Sequence, residues 1–139
     1  METLVFNEDY LKVYYNEDLK LARAVWTGFI SGNVFREAIL FCQAFMEEHD
    51  IFYWLADNRK LNAIRNSDQE WFLKEIGPRM AQSSLKKMAT IVAEDIFNQM
   101  AVDNLFVKGN EFIKFDNHYF KAEEDALAWL QKDLVLKQA

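Results

Sequence analysis

A single cysteine, a single proline, four glycines and two histidines among 139 residues leave few routes to familiar chemistry. One thiol, Cys42, excludes an intrachain disulfide and points to a reducing, cytoplasmic setting. The glycines stand apart at 28, 32, 77 and 109, so no glycine-rich loop cradles a phosphate. His49 and His118 have no ligand partners at metal spacing, which argues against a metal site. No Gly-x-Ser-x-Gly turn offers an activated serine. Asp57 and Asp95 can both fall at strand ends, which leaves a paired-carboxylate mechanism open, with little weight from spacing alone. No apolar run reaches the length of a membrane span. The start, METLVFNEDYLK, has acids where a signal peptide needs basic residues. These absences predict a non-enzymatic cytoplasmic protein with no metal, no cofactor and no integral membrane segment.

What is present is bulk. Hydrophobic residues make up 51% and aromatics 15%, with 12 Phe, 5 Tyr and 4 Trp. That suits one globular domain spanning 1–139, long enough to bury its own core. The aromatic surplus fits a bulky core, an apolar pocket or a dimer face. Net charge is −6, which opposes nucleic acid as a partner. The charge is uneven: residues 1–56 carry −5, residues 57–90 carry +3 and residues 91–139 carry −4.

Period-two alternation at Leu11, Val13 and Tyr15 predicts strands over residues 3–26. The repeated Asn-Glu-Asp, at Asn7–Asp9 and Asn16–Asp18, predicts two hairpin turns. Ser31 caps a helix whose stripe is Phe35, Ala38, Ile39, Cys42, Phe45 and Met46, with Gln43 off the stripe. Ile51–Leu55 is a central strand. Ser67 and Glu70 form a capping box for the next helix, which Pro78 ends or kinks. Lys87–Ala93 is a strand. Asp95 opens a helix with Phe97, Met100, Ala101 and Leu105 on one side. Glu111–Phe115 is a short strand. The last helix, from about Lys121, buries Ala126, Leu127, Leu130 and Leu134. Helices alternating with strands predict an α/β domain: a mixed sheet with antiparallel edge strands and about four flanking helices.

The segment Ile51–Phe72 concentrates the candidate site. Its apolar strand meets Asp57, Asn58, Arg59 and Lys60, read here as a loop, and a helix restarts near Arg65, Ser67 and Trp71. Strand-end loops that feed helices are where α/β proteins place their sites. Arg59, Lys60 and Arg65 can meet an anion or a protein partner. Against this stands a purely structural role, in which Asp57 pairs with an arginine and Asn58 closes a turn.

The run TGFISGNVFREA, then LADNRK, IRNSDQEW, KKMATIVAEDIF and EDALAWL, in that order, resembles bacterial STAS domains of the SpoIIAA-like kind. The resemblance spans nearly the whole chain. It implies an open sheet flanked by helices, related also to CRAL-TRIO lipid-transfer domains. In anti-sigma factor antagonists of this fold, a serine at a helix start is phosphorylated to release a kinase. Here the Asp-Ser-x-Gly pattern is absent, and Ser67 is the nearest serine at a helix start. Together these readings predict a regulatory module that binds a protein partner or itself. The alternative is a small apolar or anionic lipid-like ligand, held by Trp54, Trp71 and Phe72 with Arg59 or Arg65 at its head.

Overall fold

The computed structural model describes residues 1–138, with side chains through residue 132. Three strands come first: β1 (Glu2–Asn7), β2 (Leu11–Asn16) and β3 (Leu21–Gly28), joined antiparallel as a meander. Both Asn-Glu-Asp copies turn the chain as expected; the Asn16 side-chain oxygen accepts from the Leu19 N–H at 3.3 Å. β1 slips register against β2 between Leu4 and Phe6, a bulge at the edge of the sheet.

From β3 onward the chain alternates. It continues through α1 (Gly32–Glu48), β4 (Tyr53–Leu61), α2 (Asn66–Trp71), a π turn (Phe72–Ile76), α3 (Gly77–Ala81), β5 (Lys87–Ile91), α4 (Ile96–Lys108), β6 (Asp116–Phe120) and α5 (Glu123–Gln138). The six strands lie in sequence order, β1 to β6, and β3 through β6 are parallel. Counting the run from α2 to α3 as one helix gives four among the described residues. None is long and apolar enough to cross a membrane.

Sequential order decides the layering. Parallel crossovers are right-handed, so connections that always step the same way along a sheet return over the same face. α1, the α2–α3 run and α4 therefore share one face and one core, built on Leu11, Val13, Ala24, Trp54 and Phe35 among others. α5 alone covers the opposite face, where Ala126 and Leu130 pack on Leu21, Tyr53, Leu55, Ala89 and Ile91. The Leu134 side chain lies outside the described residues.

The structure corrects several readings. The expected loop at Asp57–Lys60 is strand: β4 runs to Leu61 because β3 continues beside it to Gly28. Asn58 and Arg59 together oppose Trp26, a bulge that shifts the alternation by one residue. The capping box does not form, since α2 begins at Asn66 and Ser67 is exposed inside it, with no side-chain cap. Ser31 makes no cap bond either. Pro78 does not end its helix; the π turn before it absorbs the lost N–H and the helix continues to Ala81. Glu111–Phe115 is not a strand: residues 110–112 make a 3₁₀ turn and the strand follows at Asp116. Gln43 is buried, while Phe97 and Met100 face outward.

α1 has no acid in its first turn and receives one from elsewhere. Asp68, fully buried on α2, accepts the Gly32 N–H at 3.1 Å, at a helix start where orphan donors and the dipole favour an anion. Gly32 has φ +60°, a conformation that side-chain-bearing residues rarely adopt. The same carboxylate accepts from Arg65 Nε at 3.1 Å and lies 3.7 Å from Arg36 Nε. At the other end of α1, Arg79 of α3 grips Glu47 with two bonds of 3.0 and 2.6 Å.

Replacing Asp68 by alanine strands the Gly32 N–H and two guanidinium groups. The expected cost is about 2–4 kcal/mol in urea unfolding, and Asp68→Asn, which keeps an acceptor oxygen, is expected to cost less.

Candidate ligand-binding site

Between the sheet and its three covering helices lies a cavity of about 160 Å³. Its floor follows from strand periodicity, in which alternate residues share a face. Trp54, Ala56 and Asn58 of β4 point into it, as do Met88 and Thr90 of β5 and Trp26 of β3. The β4 bulge then returns Leu61 to the same side. The roof is supplied by Phe35, Ile39, Cys42, Gln43 and Met46 of α1, by Phe72, Leu73 and Ile76 of the π turn, and by Val102, Leu105 and Phe106 of α4. Phe112 and Phe115 close one end. Phe112 also lies over Gly77, where a Cβ would sit 2.5 Å from its ring, so only glycine lets these segments touch.

The lining is apolar with three polar exceptions among the described residues, Gln43, Asn58 and Thr90, and no charged side chain lines it. Gln43 donates to Glu47 at 3.2 Å. Burial pushes the Cys42 thiol up to about 12, leaving it protonated and unreactive at neutral pH. No group of three or more His, Cys, Asp or Glu is placed to hold a metal ion among the described residues. A second, more open depression lies by the outer face of β3, around Glu2, Arg23 and Glu123. There Arg23 already pairs with both acids, at 2.9 and 3.5 Å.

Of Asp57, Asn58, Arg59, Lys60, Arg65, Ser67 and Trp71, only Asn58 reaches the cavity. Asp57 belongs to the opposite face of β4, with Tyr53 and Leu55. It is buried and paired with Arg59 at 2.6 and 3.0 Å, and it accepts the Arg59 N–H at 3.2 Å. Lys60 is exposed and meets Glu94 at 3.5 Å. Arg65 is engaged by Asp68. Trp71 lies against Phe35 and under the Arg36 guanidinium, outside the cavity, while Trp54 and Phe72 line it as expected. Asp95 caps α4 by accepting the Phe97 N–H at 2.8 Å. The arginines and Lys60 thus already have carboxylate partners. Thr90, polar in the middle of an apolar strand, is the cavity residue that sequence reading passed over.

The strand order, the face-sharing helices and the lone helix behind can be set beside known proteins. No protein-family model matches the chain, and no curated protein sequence matches it. A solved structure does: an uncharacterized protein of the DUF3478 family from Shewanella loihica, described as having a SpoIIAA-like fold. The two share 15% identity and a TM-score of 0.57, over 94% of this chain and 92% of that one. The fold is SpoIIAA-like. At that identity the likeness concerns architecture alone.

The carboxyl of Asp57 is pulled two ways: burial raises its pKa, and the Arg59 hydrogen bonds and charge lower it further than burial raises it. A carboxylate with a depressed folded pKa stabilises fully above its unfolded value, near 4, and loses that contribution as pH falls through the folded value. Asp57→Asn is therefore expected to cost about 1 kcal/mol at pH 7, a figure reduced for the exposure of Arg59. Urea titrations should show the gap between wild type and variant closing as pH drops from 4 towards 2.

Proposed function

We propose that this SpoIIAA-like protein is a binding module, not an enzyme, and that it holds a small, largely apolar molecule between its sheet and covering helices. The observation that carries this reading is the cavity itself. At about 160 Å³ it matches in size an engineered apolar cavity of ~150 Å³ that binds benzene. Apolar walls with a few placed polar groups are the usual make-up of ligand sites. The π turn contributes three wall residues, and such turns concentrate at functional positions. The volume suits a ring-sized molecule. The lack of lining cations disfavours an anionic head.

Toluene is the simplest probe. At millimolar concentration it is expected to raise the Tm of the wild type by a few degrees through preferential binding to the folded state. It is also expected to perturb the fluorescence of Trp26 and Trp54. In Ala56→Phe the new ring occupies the cavity, and both responses should vanish. A wild type indifferent to toluene in both measurements would remove the reading.

One observation favours a second reading, in which the module binds protein. α4 carries apolar side chains on both sides: its inner residues roof the cavity, while Ile96, Phe97, Met100 and Val107 are 60–75% exposed. Scattered apolar residues on a surface need no explanation, but four on one helix suit a contact. Self-association is the testable case. Sedimentation of the wild type should then show a dimer that Met100→Glu with Ile96→Glu converts to monomer; a monomeric wild type at high micromolar concentration speaks against it.

A further inference from the structure

The cavity floor says more about its occupant than size does. Asn58 and Thr90 are 6% and 1% exposed. Neither side chain is hydrogen-bonded among the described residues, and both line the cavity with polar ends that open on it and are not sealed in protein. They sit close together, because Ala56 pairs with Thr90 across β4 and β5 and Asn58 is the next residue of that face. An amide and a hydroxyl that open on an apolar space without a protein partner are free to meet a polar group there, water or ligand. An amide carries both donors and an acceptor, and a hydroxyl is both at once.

Charge narrows the class. A carboxylate or phosphate taken into this space would lose its water and find no cation, since Arg59, Arg65 and Arg79 are held by Asp57, Asp68 and Glu47. An ammonium would find no anion among the lining residues. The aromatic lining, Trp26 and Trp54 on the floor with Phe72 and Phe106 on the roof, favours a flat ring by offset or edge contacts.

Resting on the cavity reading above, we propose that the occupant is an uncharged aromatic of one or two rings with a single hydrogen-bonding group, the class of phenols, aryl alcohols and indoles. Its hydroxyl or ring N–H sits on Asn58 and Thr90, and its ring lies among the aromatic walls.

The test compares phenol, indole, toluene and benzoate on wild type, Thr90→Val and Asn58→Leu, by calorimetry and tryptophan fluorescence at pH 7. In a purely apolar cavity toluene would bind more tightly than phenol, because phenol gives up more hydration. Here phenol and indole are expected to bind about tenfold or more tightly than toluene, as one or two satisfied buried groups imply. Benzoate is expected not to bind. Thr90→Val, nearly isosteric, should remove most of that preference by weakening phenol and indole and not toluene, and it should not lower Tm, since the hydroxyl it removes has no protein partner. It carries the test if Asn58→Leu does not fold. Toluene binding with no preference for phenol, a preference unchanged in Thr90→Val, or benzoate binding as well as phenol each overturns this inference and leaves the cavity reading standing. If no probe binds, the cavity reading itself falls, and this inference with it.

Discussion

The helical layer of this protein is held by α1, and α1 is held at both ends by ion pairs to the next helical segment. At its start the buried Asp68 carboxylate takes the Gly32 N–H and two arginines. At its finish Glu47 meets Arg79. A helix without its own N-terminal acid thereby gains one from a neighbour, and the neighbour is fixed in direction by giving it. The two clamps differ in kind. The first is buried on its acidic side and so resists screening, whereas the second is half-exposed on both sides and adds less. Between them lies the roof of the cavity. Its shape therefore rests on charges that never enter it.

The cavity is a product of topology as much as of side-chain size. Strands that follow one another in order send every crossover to the same side, which crowds three helical segments onto one face and leaves α5 alone on the other. The thin side packs closely through alanines, with Ala89 and Ala126 fully buried. The crowded side must join α1, α4 and a helix interrupted by a π turn. Ridges of those different kinds do not mesh everywhere, and large aromatic rings bridge what remains. The bulge at Asn58 and Arg59 serves this arrangement. It lets one strand place Asn58 on the crowded side, keep Asp57 with Arg59, and bring Leu61 back to the core.

Much of the frame was legible from the residues. The doubled Asn-Glu-Asp marks both hairpins, the stripe from Phe35 to Met46 marks α1, and the alternation of helix and strand gives the parallel half of the sheet. The motif order pointed to a SpoIIAA-like frame, which the structural likeness bears out. The errors share one cause, which is that local pattern was read where distant partners decide. Asp57 to Lys60 looks like a loop because it is polar, yet β3 supplies a partner strand from far along the chain. Ser67 and Glu70 have capping spacing, but the helix had already begun at Asn66, and the acid that matters is the unremarked Asp68. The cavity left only a compositional trace, the surplus of aromatics. A void depends on which side chains meet across the layer, and no single segment contains that information.

The bulge in β1 has a bearing on how this chain behaves in a crowded solution. A sheet of six strands in simple order ends in two unpaired borders, and each offers hydrogen bonds to any passing extended chain. β1 breaks its own regularity between Leu4 and Phe6, so an incoming strand finds no continuous row of donors and acceptors. β6 is only five residues long and opens with Asp116, Asn117 and His118. Both borders are poor templates, and the molecule guards against fibrous growth at its margins while four of its most exposed apolar side chains, Ile96, Phe97, Met100 and Val107, sit on α4, where backbone groups are already paired.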